Sequence, residues 1–462
     1  MTPATASSAE LPIDPNERVA PAPGARQALI LLLVINLFNY IDRYILAAVA
    51  EPVREEFGVS YTAMGWLSTA FLLSYMVTSP IFGWMADRFP RWALIGVGVI
   101  LWSLASGASG LAHFAGVRLE GYALFDQIAV VTGLSLGYLF LLVMRCLIGV
   151  GEGAYGPVAP TLLADLYPVA IRGRIMAWFY AAIPVGSALG FVLGGLFASR
   201  GNWHWAFLLT LPPGILLGIW CLRMKEPPRG LSDSATPHRK ATLSDYVTLV
   251  RTPSYVLNCL AMTSFTFAMG GISFWMPTYL KTERGLSESV ATPTFGGIVV
   301  VSGLFATILG GIAGDKLRER GWGGAYFIVS AAGMLLGFPL LLLMLVVDFP
   351  YAWGILAAAV FCLFFNTGPS NTALANVTHP SIRATAFAMN IFIIHAFGDA
   401  ISPPIIGWVK DHWSFKVGFV VVSLTILLSG IFWAWGSIYL KRDTDRAPHL
   451  LDEEQSTAPR PA

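Results

Sequence analysis

The sequence predicts an all-α polytopic membrane protein with about twelve transmembrane helices in two six-helix bundles. Of its 462 residues, 55% are hydrophobic and 12% are charged, and the mean hydropathy is +0.65. Soluble proteins carry about 25% charged residues. Twelve apolar segments are each long enough to cross a bilayer as a helix. They lie at about 27–50, 61–85, 91–112, 131–155, 174–198, 204–223, 254–280, 293–314, 324–347, 351–377, 385–408 and 415–440.

The basic residues predict the orientation. Most of the 29 Lys and Arg residues fall in cytoplasmic segments if both termini are cytoplasmic, as the positive-inside rule favours. We therefore expect a multi-pass protein of the cell (inner) membrane. The composition of residues 1–26 and 441–462 predicts disordered cytoplasmic tails.

Several function classes find no support in the sequence. A formal net charge of +2 gives no indication of a nucleic-acid ligand. The four cysteines lie in apolar runs without metal-ligand spacing, and no phosphate loop, HExxH motif or nucleophile elbow is present. We expect no cofactor, no metal and no enzymatic activity.

The chain carries an internal repeat. The polar connection at 224–252 separates a predicted N-terminal bundle (27–223) from a C-terminal bundle (253–440), and we expect it to be a cytoplasmic linker. Gly83-Trp-Met-Ala-Asp87-Arg88 follows the second span, and Gly311-Ile-Ala-Gly-Asp315-Lys316 follows the eighth. Likewise Pro168-Val-Ala-Ile-Arg172 is echoed by Pro380-Ser-Ile-Arg383. Such repeats are typical of alternating-access carriers.

The first span contains two adjacent charges, Asp42 and Arg43, in its second half. A charge at that depth costs at least about 2.5–3.5 kcal/mol on insertion scales and normally faces a protein partner or a wet cavity. Neighbouring helix residues point about 100° apart, so the two cannot serve one partner in the same way. A structural ion pair is one interpretation. We favour a titratable or ligand-contacting centre in a transport pathway.

The fourth span holds a second pair of charges. Arg145 and Glu152 are seven residues apart, which places them on one helix face about 10.5 Å apart along the axis. Arg145 lies at a depth comparable with that of Asp42. Asp42 and Arg145 are therefore candidates for an ion pair across a helix interface.

The loop after the second span and its copy after the eighth make this chain resemble the major facilitator superfamily. The signature of that family in this loop is Gly-x-x-x-Asp-Arg followed by further basic residues. The second copy departs from the pattern, with Lys316 where the first has Arg88. In that family the motif implies a conformational latch on the cytoplasmic side. The corresponding latch residues are Gly83, Asp87, Arg88, Arg91, Asp315 and Arg318.

A narrower resemblance, to the Spinster branch, covers nearly the whole membrane region. It is carried by Asn39-Tyr-Ile-Asp42-Arg43-Tyr44, Trp102, Arg145, Gly149-Val-Gly-Glu152-Gly, Ile183-Pro-Val-Gly186-Ser-Ala-Leu-Gly190, Phe274-Trp-Met-Pro277 and Gly398-Asp399-Ala-Ile-Ser-Pro403. The resemblance implies a carrier for lysophospholipid-like or sphingolipid-like amphiphiles, driven or modulated by protons. It places four residues in a central polar network. We assign proton coupling to Asp42 and Glu152, and head-group binding or gating to Arg43 and Arg145.

Aromatic and polar residues are weaker candidates for the cavity wall. They are Tyr40, Tyr44, Tyr75, Tyr155, Trp275, Asn371, His395 and Asp399. Aromatic residues at helical spacing are also typical of packing. His395 and Asp399 are four residues apart and share a face, and for them we favour a hydrogen-bonded helix contact over a proton relay.

The segment at 113–132 replaces the short connection usual in this family. It contains Arg118, Glu120 and Asp126. An amphipathic element at the outer surface and a loop over the cavity both fit this composition.

These observations predict a monomeric, proton-coupled secondary transporter that moves an amphiphilic substrate by alternating access. Its expected partners are a lipid-like substrate, protons and membrane lipids. The alternatives are a major facilitator carrier for a soluble organic anion or sugar acid and a gradient-independent lipid scramblase. A lipid-modifying enzyme would need a nucleophile or metal cluster that the sequence does not offer.

Overall fold

In the part of the chain that the structure describes, twelve helical stretches are long and apolar enough to cross a membrane, which confirms the predicted number of spans. The computed structural model describes residues 21–228, 247, 249–379 and 382–447. Most of the predicted tails and linker, and Pro380 and Ser381 of the second repeat motif, lie outside the described residues.

The helices of the first half precede residue 224. In chain order they are α1 (Ala25–Ala48), α2 (Ala50–Phe57), α3 (Tyr61–Ala86), α4 (Arg91–Ser109), α5 (Ala112–Leu119), α6 (Ala123–Thr132), α7 (Leu136–Gly153), α8 (Ala159–Leu166), α9 (Val169–Ala198), α10 (His204–Leu208) and α11 (Leu211–Leu222).

The helices of the second half follow residue 252. They are α12 (Pro253–Thr282), α13 (Glu288–Glu319), α14 (Ala325–Met344), α15 (Tyr351–Phe364), α16 (Thr367–Asn376), α17 (Arg383–Ile394), a π-helical turn (His395–Asp399), α18 (Ser402–His412) and α19 (Phe415–Arg446).

Two span starts differ from the prediction by several residues. The fourth span begins at Leu136 and not at 131, because Gly133 (φ 67°) ends the separate helix α6 and Ser135 caps α7. The eighth begins at Glu288 and not at 293, so that Pro293 lies inside the helix. In both places the helix start depends on individual residues, which hydropathy alone does not take into account.

Glycines bring α1 and α9 into close contact in the first half. A methyl group at Gly186 would lie 2.6 Å from the Leu37 carbonyl oxygen, and one at Gly190 would lie 2.5 Å from that of Ile41. Small residues permit such close backbone approach between membrane helices. The contact holds the segment of α1 that carries Asp42 and Arg43 firmly in the first half.

We distinguish two faces of the molecule. Because successive spans alternate in direction, the start of α1 and the end of α19 lie on one face, called here the terminal face. The opposite face carries α2, α5 and α6 and is called the distal face.

The two halves meet on the distal side of the membrane. The first turns of α3 pack so closely on α18 that any side chain at Gly65 would overlap the backbone of Pro404. Further from this contact, the rings of Phe191 on α9 and Phe295 on α13 lie 5.2 Å apart between centroids. Both contacts join an N-terminal helix to a C-terminal one. They close the space between the halves at this end.

A carboxylate of the second half caps a helix of the first. Asp411, near the end of α18, accepts hydrogen bonds at Oδ1 from the Tyr61 amide (2.9 Å) and at Oδ2 from the Thr62 amide (2.8 Å) and hydroxyl (2.6 Å). The first amides of a helix lack intrahelical partners and carry the positive end of its dipole. Asp411 therefore links the halves through a charge-assisted N-terminal cap.

We expect Asp411→Ala to loosen this distal contact. Loss of a cap costs about 1 kcal/mol, which corresponds to roughly a fivefold shift in a two-state ratio. Spin labels at Glu55→Cys and Lys416→Cys would report the distance across the distal face by double electron–electron resonance. The four native cysteines would first be removed from the chain. The longer-distance population should grow in Asp411→Ala and stay constant in Asp126→Ala, an exposed distal aspartate that makes no contact between the halves. An unchanged distribution in Asp411→Ala would contradict the proposed link.

Candidate functional site

A cavity of about 600 Å³ lies between the two halves. Its walls come from α1, α3, the turn after α7 and α9 on one side, and from α17 and the π-turn on the other. It extends from Arg43 to Gly83, near the terminal end of α3. A methyl group added at Gly83 would meet no atom within 4 Å. The space between the halves is thus wide on the terminal side and closed on the distal side.

A smaller chamber of about 120 Å³ adjoins this cavity on its distal side. Tyr40 and Arg43 line both spaces. Arg145 and Asp399 line the chamber only, on walls contributed by opposite halves. Cationic groups of the first half therefore share the chamber with a carboxyl group of the second. Among the described residues no cluster of His, Cys, Asp and Glu is arranged to hold a metal.

Arg43 is paired with Glu152. Its Nε and Nη2 atoms both lie 2.7 Å from Glu152 Oε2. The Glu152 side chain is fully buried, whereas the Arg43 side chain is 20% exposed. Arg43 also lies over the rings of Tyr40, Phe71 and Tyr75, with centroid distances of 4.9–5.2 Å, an arrangement that favours a cation. Its charge thus remains accessible from the cavity.

Asp42 points away from Arg43 toward α4. The Ser106 hydroxyl donates a hydrogen bond to Asp42 Oδ1 and lies 3.2 Å from the Thr210 hydroxyl. The second carboxyl oxygen, Oδ2, is buried without a partner among the described residues. The two adjacent charges of the first span therefore have different surroundings, one sealed by helices and one facing the cavity.

Arg145 is buried without an acidic partner. It is 2% exposed, and within the described chain its only hydrogen bond runs from Nε to the Leu67 carbonyl at 3.5 Å. The Nη1 atom has no partner there, and the guanidinium lies 5.0 Å from the centre of the Phe71 ring. The ion pair between Asp42 and Arg145 that the sequence suggests is not formed within the described chain: Ser106 donates to Asp42 Oδ1, and Asp42 Oδ2 and Arg145 Nη1 each lack a partner there. Among the described residues Arg145 therefore has no direct ion-pair partner beside the small chamber.

His395 and Asp399 form a hydrogen bond within the eleventh span. His395 Nδ1 lies 2.9 and 3.0 Å from the two carboxyl oxygens of Asp399. The residues lie on the π-turn, and such turns are frequent at functional sites. His395 lines the larger cavity and Asp399 the smaller chamber. The second half thus presents one polar pair to the shared space.

Four of the predicted aromatic residues line the cavities. They are Tyr40, Tyr44, Tyr75 and Tyr155. Two other predicted lining residues lie elsewhere. Trp275 is fully buried and donates from Nε1 to the Pro403 carbonyl (2.8 Å), and the Asn371 amide donates to Thr367 within its own helix (2.8 Å). Packing and local hydrogen bonds hold these two side chains in place.

Sequence reasoning missed several residues of the wall. Phe179 and Tyr180 on α9 and Ile391 and Phe392 on α17 line the larger cavity. Phe392 precedes His395 by three residues, so helical spacing from the predicted polar pair would have identified it. The α9 residues show no such pattern, because their span is apolar on all sides.

Arg88 and Arg91 of the predicted latch contact residues of their own half. Arg91 is 4% exposed and is paired with Asp165 (2.6 Å) and Glu226 (2.7 Å). Arg88 lies over the Trp84 ring and donates to the Trp84 carbonyl at 3.0 Å. The Arg91 contacts tie α4, α8 and the chain after α11 together on the terminal face, whereas the Arg88 contacts stay at the end of α3.

The second copy of the motif behaves similarly. Asp315 accepts a hydrogen bond from the Tyr326 hydroxyl at 2.8 Å, and Arg318 lies 5.6 Å from the centre of the same ring. Both contacts join α13 to α14. The second copy thus joins the eighth span to the ninth, whereas Arg91 of the first copy joins the start of the third span to α8 and to the chain after α11.

Comparison with known proteins agrees with this architecture. A family model described as "Major Facilitator Superfamily" matches residues 32–398. Protein spinster homolog 3 of Danio rerio is 31% identical over 94% of this chain and 88% of its own length. Protein spinster homolog 1 of Homo sapiens is 31% identical (96% and 87%), and the sphingosine-1-phosphate transporter SPNS2 of Danio rerio is 30% identical (90% and 85%).

Solved structures show the same fold. A crystal structure of a bacterial homolog to the human lysosomal transporter Spinster, in an inward-facing and unoccupied conformation, has a TM-score of 0.73 at 20% identity, and covers 92% of this chain and 98% of the other. A D-xylose–proton symporter has a TM-score of 0.66 at 18% identity (89% and 96%). This chain is an integral, multi-pass membrane protein that belongs to the Major Facilitator Superfamily and, within that transporter family, to the Spinster branch.

Proposed function

We propose that this protein is a proton-coupled secondary transporter of an anionic, lipid-like amphiphile, and that it works by alternating access. The observation that carries the proposal is Arg145, a buried guanidinium without an acidic partner beside a cavity between the two halves. An uncompensated buried charge is costly, and an entering anion would offset that cost. A relative at 30% identity is named as a sphingosine-1-phosphate transporter, which supports a phosphate-bearing amphiphile as substrate.

The wall of the larger cavity suits an apolar tail. Beyond Arg43 and Glu152 it is lined mainly by aromatic and aliphatic side chains, among them Tyr75, Phe179, Ile391 and Phe392. A hydrophilic sugar acid would leave this surface without matching contacts, whereas an alkyl chain would bury it. In this proposal the head group reaches the chamber beside Arg145, and the tail lies along the wall toward the terminal face.

The charges of the central network suggest how protons are coupled. With all four groups ionised, Asp42 and Glu152 balance Arg43 and Arg145. Protonation of Asp42 would remove one negative charge and leave the network with a net positive charge, which favours an anion. Deprotonation would restore a carboxylate that competes with the anion for the cationic field. Substrate and proton would therefore bind together, as in a symporter.

The arrangement of the halves suggests a state of the transport cycle. With both termini in the cytoplasm of a cell-membrane protein, the wide terminal side makes this an inward-facing state. The latch residues would engage across the halves when the terminal side closes. In this proposal the bundles at 27–223 and 253–440 move as units joined by the 224–252 linker, and one chain suffices for transport.

Asp42→Asn tests the coupling. In the wild type we expect substrate affinity to rise as pH falls. In the variant the affinity should stay high and independent of pH, because Asn resembles the protonated residue. In proteoliposomes, proton-driven accumulation should be lost while downhill exchange persists. Asp445→Asn, an exposed aspartate at the end of α19, should match the wild type. Undiminished proton-driven uptake by Asp42→Asn would remove Asp42 from the coupling role.

Arg145→Ala tests head-group binding. Loss of a charged hydrogen bond of about 1.5–3 kcal/mol should weaken substrate binding by roughly 10- to 100-fold. Arg145→Lys should restore only part of the affinity, because an ammonium group lacks the planar fork that matches a phosphate. Arg54→Ala, on distal helix α2 and paired with Glu51, is the matched control. Unchanged affinity in Arg145→Ala would contradict the assignment.

Competition separates the substrate classes. Uptake of a labelled lysophospholipid should be inhibited by other anionic lysolipids and not by sugar acids or dicarboxylates of the same charge. Inhibition by the hydrophilic anions alone would favour a carrier for soluble anions. Accumulation of the lipid against a concentration gradient would exclude a scramblase. Equilibration of the lipid between the two sides at a rate independent of the pH gradient would support one.

A further inference from the structure

A short helical hairpin on the distal face presents large apolar side chains outward. It consists of α5 and α6, joined at Gly121, whose φ of 86° permits the sharp turn. Six of its apolar side chains are between 39% and 82% exposed: Phe114, Val117, Leu124, Ile128, Val130 and Val131. Exposed apolar residues grouped in this way mark an interaction surface.

The apolar residues of α6 form a stripe. Leu124, Ile128 and Val131 follow one another at intervals of four and three residues and therefore share one helix face. None of the ten residues of α6 is buried. At about 1.5 Å per residue the helix is about half the thickness of the hydrocarbon core, so it cannot span a membrane.

The hairpin is held against the body of the protein through α5. A methyl group at Gly116 would lie 2.7 Å from the backbone nitrogen of Gly137 on α7. His113 Nδ1 lies 3.1 Å from Glu56 Oε1 on α2. The chain leaves the third span at Ser109 and enters the fourth at Leu136. Both ends of the hairpin are thus fixed at the end of a membrane span.

A second short helix on the distal face shows the opposite pattern. In α2 the apolar Val53 is fully buried and the charged Glu55 is exposed, as expected for a helix that faces water. In α6 the apolar side chains are outside. The two helices lie on the same face, so the difference indicates that the outer surface of α6 faces an apolar medium.

This apolar surface continues into the lipid-facing side of the protein. A groove of about 620 Å³ between α3 and α7 is lined by Trp66, Leu73 and Val77, and also by Leu134, which follows α6. Trp66, Leu73 and Val77 are exposed on membrane-spanning α3. The hairpin therefore stands at the distal end of a surface that lipid chains cover.

We propose that the α5–α6 hairpin lies in the distal leaflet of the bilayer, with Leu124, Ile128 and Val131 at the boundary between head groups and acyl chains. Amphipathic helices with apolar residues on one side adopt this position. Tyr122 is 64% exposed at the turn, where an aromatic ring is suited to the head-group region. Arg118 and Glu120, also exposed near the turn, remain within reach of water and head groups. The hairpin is thus a membrane-interface anchor and not a lid over the cavity.

Spin-label accessibility tests this position. Single cysteines replace Leu124, Val131, Asp126 or Glu55 in the full chain, from which the four native cysteines have been removed, and each carries a nitroxide in phosphatidylcholine–phosphatidylglycerol liposomes. Oxygen concentrates in hydrocarbon and a chelated nickel complex stays in water. We expect the ratio of oxygen to nickel accessibility to be several-fold higher at 124 and 131 than at 55. Asp126, about 200° around α6 from Leu124, should give an intermediate or water-like ratio.

Two outcomes would overturn the proposal. Ratios at 124 and 131 equal to that at 55 would place the stripe in water. Dipolar broadening at these positions that disappears on dilution with unlabelled protein would assign the stripe to contact with a second copy of the chain. Because both labelled positions are exposed, a folding defect at one leaves the other as an independent test.

Discussion

Desolvation of three charged residues in the first half is the constraint on which the site depends. Asp42, Arg145 and Glu152 are buried almost completely, and a buried charge is tolerated only with well-placed partners. Glu152 obtains its partner from Arg43 on another helix, and Asp42 obtains one from Ser106 on α4. Each contact joins two spans, so the helices must pack in one register to satisfy the charges. Within the described chain, that register leaves Arg145 beside the chamber without a direct ion-pair partner.

Closure of the distal side rests on interactions of a different kind. Close backbone packing at Gly65 supplies a tight but apolar contact, and Asp411 adds a cap that is exposed to solvent. Exposed charged contacts contribute little free energy individually. A carrier must keep its two states within a few kcal/mol of each other, since a strongly favoured state would stop the cycle. Weak polar contacts over well-fitted small residues meet this requirement.

The sequence predicts the membrane fold better than the pairing within the site. Span number and the internal repeat depend on local hydropathy and on motifs that can be counted along the chain. Partner choice depends on how helices are rotated against each other. Arg145 and Glu152 share a face at a spacing of seven, yet Glu152 pairs with Arg43, because α1 and α7 bring those groups to 2.7 Å. Trp275 illustrates the same limit, since nothing in its neighbourhood along the chain distinguishes a cavity wall from a packed aromatic cluster.

The two halves contribute different numbers of charged residues to the central space. This difference bears on how the free-energy differences between the states of a transport cycle can stay small. The network of Asp42, Arg43, Arg145 and Glu152 lies wholly in the first half, whereas the second half presents His395 and Asp399 from a π-turn. If the halves rock as units, no buried ion pair of the network has to break, and none of its charged groups has to be hydrated without its partner. The contacts that change are those between the halves, such as the cap at Asp411 and the packing at Gly65. A bound head group would then stay with Arg145 throughout, and the movement of the second half would decide from which side it is reached.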